Sequence, residues 1–325
     1  MTATVVPRLY MAADVERLLP MRACIDGMAA ALADVSAGRI AQPVRTAFAP
    51  RDAAGVLVWM PAHRSNAAGS QPSFGTKLLC FMPGNPERGL DAHQGVVVLF
   101  DGQTGELRAV LDAATVTAIR TAAVSAVATR LLARADASEL AVIGTGVQAA
   151  RHLESIGLVR PIRRARVAGR SVDRARAFVE RERDRHAFDI VAAENAEVAV
   201  RGADIVVTAT SSAMPVLRSD WLSPGMHICA VGASVPPAHE IDAETVAGCA
   251  LYTDRRDSLD AEAAEWRDGL RRGLFDAGHL RAELGEVVAG TRPGRTDADE
   301  ITLFRSLGLA AEDLAAAELV WAASA

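Results

Sequence analysis

The sequence predicts an α/β protein in two parts, a mixed helix-and-strand region followed by a doubly wound parallel sheet. From residue 139 onward, short apolar runs alternate with Gly-bearing turns and helical stretches, the rhythm of strand–helix–strand units. Ahead of that, a helical stretch leads into strand-like runs, two of which flank a hairpin-type turn. With 325 residues, half of them apolar, the chain has enough material for two cores.

Residues 11–38 carry apolar side chains at helical spacing (Val15, Leu18, Leu19, Cys24, Ile25, Met28, Leu32, Val35), with Gly38 as the stop. Strands are expected at 56–60, 77–81, 96–100 and 107–111, the last two joined by Asp101-Gly102-Gln103-Thr104-Gly105. An Ala-rich helix is expected over 113–135. Then come a strand at 140–143, a helix from 147 to about 155 and a strand at 166–168. After a helix beyond Ser171, strands are expected at 189–191, 204–207 and 227–231. From Ile301 the pattern reads as an amphipathic helix.

A net charge of −5 and a pI near 5.8 argue against nucleic acid as the main partner. The Arg-rich block at 151–185 is interleaved with acids and reads as a solvated helix face. Cys24, Cys80, Cys229 and Cys249 form no CxxC pair, and the histidines lack metal spacing, so no metal site is expected. There is no apolar secretory leader and no run near the roughly 18 residues that span a bilayer. The expectation is a cytoplasmic protein with reduced thiols and no membrane partner. Among its 35 basic side chains only Lys77 is a lysine. Arg and Lys differ in shape and hydration, so Lys77 marks either a pocket needing a compact ammonium or an accident of composition.

Gly144-Thr145-Gly146-Val147-Gln148-Ala149 follows a strand and opens a helix, the context that gives a GxGxxA run meaning. Gly144 permits the turn, Gly146 lets a pyrophosphate approach, and Ala149 lets the helix pack closely. The helix N-terminus, at Val147 and Gln148, offers N–H donors to phosphate. This predicts a Rossmann-type dinucleotide site. At the end of the next strand stands Gly169-Arg170-Ser171, with no carboxylate to receive a ribose 2′-OH. Arg170 and Ser171 suit a 2′-phosphate, so NADP(H) is expected over NAD(H), which stays possible. The alternative is that Arg170 is one more surface arginine.

Ordered stretches of the chain resemble the ornithine cyclodeaminase/mu-crystallin family over nearly the whole length. They include Gln42-Pro43-Val44-Arg45-Thr46, Met60-Pro61-Ala62, Thr76-Lys77, Arg120-Thr121-Ala122-Ala123, 143–149, Val231-Gly232-Ala233-Ser234 and Phe304-Arg305-Ser306-Leu307-Gly308. The resemblance implies a homodimer whose strand-rich domain is discontinuous, 1–118 with 304–325, around a nucleotide domain at 119–303. It also implies that Arg45, Lys77 and Arg120 hold a substrate carboxylate, with Met60 beside them. Arg45 and Arg120 are equally open to internal ion pairing, and Arg120, next to Thr117, to cofactor phosphates. Thr210, Val231, Ser234 and Ser306 are implied as further cofactor contacts.

One departure bears on the reaction. Cyclodeaminases of this family, and related alanine dehydrogenases, carry an Asp and, four residues on, a Lys where this chain has Ser234 and Ala238. Oxidising an amine requires a proton acceptor, which an ordinary serine hydroxyl serves poorly. Reduction of a preformed cyclic imine asks for less. The resemblance therefore implies a ketimine reductase acting on a small imino acid such as 1-pyrroline-2-carboxylate or 1-piperideine-2-carboxylate. An amino-acid or opine-type dehydrogenase, an ornithine cyclodeaminase and a non-catalytic NADPH-dependent binding protein are the alternatives.

Overall fold

The computed structural model describes residues 6–66, 71–233 and 238–324. The chain divides into two compact units, 1–120 with 308–325, and 121–307.

In the first unit the strands are β1 (Arg8–Tyr10), β2 (Ile40–Ala41), β3 (Thr46–Phe48), β4 (Val56–Arg64), β5 (Ser73–Phe81), β6 (His93–Asp101) and β7 (Leu107–Asp112). Among the described residues they form one sheet in the order β1-β7-β6-β5-β4-β2, with β3 paired to β4. The long strands β4 to β7 pair antiparallel. Alternation sends Val58, Met60 and Ala62 of β4 and Gly75, Lys77 and Leu79 of β5 to one buried face. That face packs on α11 (Ala310–Ala323), and α11 on α2 (Met21–Ser36). The approach is close: a Cβ at Gly75 would stand 2.7 Å from Leu314 Cδ1. On the other face Leu57, Trp59, Phe74 and Leu78, with Phe48 of β3, are exposed. Trp59 thus belongs to an apolar outer face and not to the core.

The helix expected over 11–38 is two helices, α1 (Ala12–Leu18) and α2. Pro20 disfavours helical backbone at Leu19, which sits at φ −120°, and then serves as the N-cap of α2. Gly38 does end α2, at φ +71°. The chain from Ile301 is also corrected. Residues Thr302–Arg305 form a buried strand, β15, and the helix starts only at Ala310 and is buried around most of its circumference. A domain boundary at 303/304 would cut β15, which lies whole within the second unit.

The second unit contains β8 (Glu139–Ile143), β9 (Arg164–Ala168), β10 (Asp189–Ala192), β11 (Ile205–Thr208), β12 (His227–Ala230), β13 (Ala250–Thr253), β14 (Leu280–Glu283) and β15. Among the described residues the sheet order is β10-β9-β8-β11-β12-β15-β13-β14, and every pairing is parallel. The order reverses between β8 and β11, the switch point at whose carboxyl edge doubly wound sheets bind ligands. The helices α4 (Val147–Gly157) and α5 (Val172–Glu182) follow β8 and β9. Helix α3 (Ala113–Leu132) precedes β8, and its N-terminus is capped by the Asp112 carboxylate, which accepts from Thr115 N.

Arginine forks gather the loose carbonyls at the end of α3. Arg160 donates to the carbonyls of Thr129, Arg130, Ala133 and Arg134, and Arg295 to that of Leu132. No helix among the described residues is long and apolar enough to cross a membrane.

Candidate functional site

Lys77 lies on the inward face of β5, register-paired with Met60 of β4 and Val97 of β6. Both Lys77 and Met60 are buried. Lys77 Nζ stands 2.9 Å from Asp313 Oδ2 and donates to Asp313 Oδ1 at 3.1 Å and to Thr117 Oγ1 at 3.4 Å. Arg120, one turn beyond Thr117 on α3, donates from Nε to Asp313 Oδ1 (3.1 Å) and from Nη1 to Glu312 Oε2 (2.8 Å). Arg45 donates from Nη2 to the Gly308 carbonyl at 2.8 Å. Gly308 is at φ +80°, and a Cβ there would meet Arg120 Nη1 at 2.7 Å, so only glycine fits. Gln42 fastens the same corner by accepting from Ala311 N in the first turn of α11.

The first unit therefore brings Arg45, Met60, Lys77, Thr117 and Arg120 into one cluster. It adds two acids that sequence reasoning missed, Glu312 and Asp313. Their signal was present: α11 contains no basic residue, so two adjacent acids in its first turn must find cations elsewhere. Arg45, Lys77 and Arg120 thus gather three cationic side chains at one place, a set of donors of the kind that binds a carboxylate. Burial, with Arg120 and Arg45 close by, pulls the Lys77 ammonium down to about 8 against the opposing pull of Asp313. Cys24 is near Arg120 and Glu312, but burial pushes its thiol up to about 12, so it is no nucleophile.

In the second unit the expected cofactor residues gather at the carboxyl ends of the strands. Gly144 follows β8 at φ +134°, and a Cβ there would fall 2.3 Å from the Ala209 carbonyl. Gly146 is the N-cap of α4, has open space where a Cβ would stand, and is followed by Val147 and Gln148. The first turn of α4 has no side-chain cap from Gly146 and no acid, so no negative charge of its own opposes a phosphate there. Ala149 is fully buried, and the buried His152 fixes the helix by bonding Gln148 O (2.7 Å) and Ser125 Oγ (2.9 Å). Beyond β9, Gly169 packs on Thr145, Arg170 is exposed, and the Ser171 hydroxyl caps α5 by accepting from Arg174 N at 3.3 Å. That hydroxyl retains its own proton for donation. Thr210 follows β11, Val231 follows β12, and Ser306 follows β15 with its N–H on Ala230 O. Ser234 lies outside the described residues. The cradle fits a dinucleotide.

The pattern of the ornithine cyclodeaminase/mu-crystallin family matches residues 5–324. The chain belongs to that family. The ketimine reductase mu-crystallin of Mus musculus is 36% identical over 300 residues, covering 91% of this chain and 90% of the mouse protein. The Thermococcus litoralis Δ1-pyrroline-2-carboxylate reductase, solved with NADH and L-proline, superposes with a TM-score of 0.93 at 32% identity, over 97% of each chain. An archaeal alanine dehydrogenase dimer with bound NAD superposes with a TM-score of 0.90 at 30% identity, over 98% of this chain and 96% of that one.

Proposed function

We propose that this chain reduces a small cyclic ketimine carboxylate, 1-pyrroline-2-carboxylate or 1-piperideine-2-carboxylate, to L-proline or L-pipecolate with NADPH. It is an oxidoreductase of a nicotinamide-using family, and its fold relatives hold NADH or NAD. The observation that carries the substrate reading is the convergence of half-buried Arg45 with buried Lys77 and Arg120 in one cluster. The planar Arg45 and Arg120 guanidiniums would grip the carboxylate by its edge, and Lys77 would add a point charge. Bound nicotinamide supplies the hydride. Lys77, with a titration point near neutrality, would hold a proton at Nζ for the imine nitrogen. Asp313 keeps that ammonium charged and aimed.

NADPH is preferred over NADH in this reading because Arg170 and Ser171 stand where an NAD-selecting carboxylate is absent. Ser234 and Ala238 remove the base and the lysine that amine oxidation would use, which disfavours ornithine as substrate. The exposed Phe48, Leu57, Trp59, Phe74 and Leu78 face would pair with a second copy, as the alanine dehydrogenase relative is a dimer. The reduced, unpaired cysteines suit a cytoplasmic setting.

The test is NADPH oxidation against cyclic imino acids, against keto acid plus amine or ammonia, and NAD reduction with ornithine. Turnover of the cyclic imino acids first among these is expected. Faster turnover of pyruvate with ammonia would make the chain an amino-acid dehydrogenase. Proline formation from ornithine would restore the cyclodeaminase reading, and cofactor binding without any turnover would make it a binding protein.

A further inference from the structure

One buried carboxylate ties together the loops that follow β11 and β12. Glu240 is 2% exposed and accepts from Thr208 Oγ1 (2.8 Å), Thr210 N (2.5 Å) and Gly232 N (2.6 Å). Its own carbonyl accepts from Val216 N and Leu217 N, so the side chain is delivered from an anchored backbone. Burial pushes the Glu240 carboxyl up, and the Thr210 and Thr208 donors pull it down. Gly232 is fitted to this arrangement, since a Cβ there would fall 2.2 Å from Thr210 O and 2.5 Å from Glu240 Cδ.

A second side chain holds the same loop. Arg305, at the end of β15, donates from Nη2 to Ala233 O (2.9 Å), from Nη1 to Ser306 O (2.8 Å), and from Nε to Glu265 (2.5 Å). Between these two holds Ala233 sits at φ +57°, a left-handed backbone that a non-glycine keeps only where its surroundings over-determine it. A doubly wound sheet is built from two mononucleotide-binding halves. The half formed by β8 and β9 carries the Gly-rich turn and Arg170, so β11 and β12 face the nicotinamide end.

We propose that Glu240 is a positioning residue for hydride transfer. By fixing the backbone of Thr210 and Gly232 it sets where the nicotinamide half of the cofactor rests, without touching the substrate. This rests on the nicotinamide-dependent reading above. Glu240→Gln preserves size but turns one acceptor oxygen into an NH2 group. Thr210 N uses one oxygen and Gly232 N the other, so in either orientation one backbone N–H faces a donor and its loop must shift.

The experiment compares wild type and E240Q in three measurements: single-turnover hydride transfer to the imine, affinity for NADPH, and affinity for 2′-phospho-ADP-ribose, the adenine half alone. Misplacement near a reacting centre can cost about 10²-fold, so hydride transfer is expected to fall at least about tenfold. NADPH affinity should fall at least about fivefold, while the adenine half binds within about twofold of wild type. Equal losses for NADPH and its adenine half would mean that Glu240 only supports the fold, and an unchanged transfer rate would equally overturn the proposal. Should E240Q fail to fold, Thr208→Val removes one donor and keeps the packing. It should slow hydride transfer about fivefold with adenine-half affinity intact, since a lost hydrogen bond is worth about 1 kcal/mol, and an unchanged rate overturns the proposal. Absence of imine turnover in wild type would sink the substrate reading alone, because the two affinities still read the effect of Glu240.

Discussion

Asp313→Asn removes the carboxylate beside Lys77 and keeps its shape. Lys77 then faces Thr117, Arg120 and Arg45, and Glu312 is paired with Arg120. A unit charge at about 4 Å is worth about 1 kcal/mol in water and about 4 kcal/mol at an effective dielectric of about 20. At about 1.4 kcal/mol per unit, loss of Asp313 lowers the Lys77 titration by roughly one to three units. From about 8 it moves to the range of roughly 5 to 7. If charged Lys77 is the working form, kcat/KM at about pH 7.5 falls by about 3-fold to about 200-fold across that range and recovers towards about pH 5.5. The assay is the pH profile of imine reduction under saturating NADPH. A loss of the same size at every pH, or an alkaline limb that does not move, would refute the reasoning. Lys77→Arg is the companion variant: guanidinium does not titrate in this range. It should erase the limb while losing about 10- to 100-fold in kcat/KM through misplacement of the ring.

Arg170→Ala should raise KM for NADPH about tenfold or more and leave NADH little changed, since a charge-assisted hydrogen bond is worth about 1.5–3 kcal/mol; equal losses would remove Arg170 from 2′-phosphate recognition. Trp59→Glu places a charge in the exposed sheet face and should convert a dimer to monomer in sedimentation, without loss of secondary structure by circular dichroism. His152 and His227 are buried neutral, with burial pulling them down to about 4 and about 3. The unfolded chain therefore binds more protons below about pH 6.5, and His152 alone should cost about 3 kcal/mol of stability as pH falls from there to about 4. Urea midpoints across that range, compared with His152→Gln, check the size and sign; an unchanged acid dependence in the variant would count against it.

The dinucleotide cradle was legible because each of its requirements is local: Gly144 for a turn, Gly146 for open space, Ala149 for packing, all within six residues of one strand end. Lys77 was legible by rarity, although rarity said nothing of what it touches. Its partners were not, because Asp313 is distant in sequence and only the tertiary fold turns the first turn of α11 towards β5. Short strands also escaped detection. Thr302-Leu303-Phe304-Arg305 ends in an arginine that looks solvent-bound until Glu265 appears beside it, in another segment of the chain. Pro20 is the opposite case, a break written plainly in the sequence yet masked by apolar spacing that runs through it.

The near-absence of lysine has a practical consequence at the buried cluster. Where Arg160 and Arg295 collect carbonyls, no ammonium could replace the fork, and elsewhere arginine serves as the ordinary surface cation. A protein grown with isotope-labelled lysine would therefore carry the label at one side chain only. Its single methylene resonance next to the ammonium, followed through a pH series, reports the charge on Lys77 without assignment or mutagenesis. The same resonance, watched as an imino acid is added, reports the arrival of its carboxylate beside Lys77.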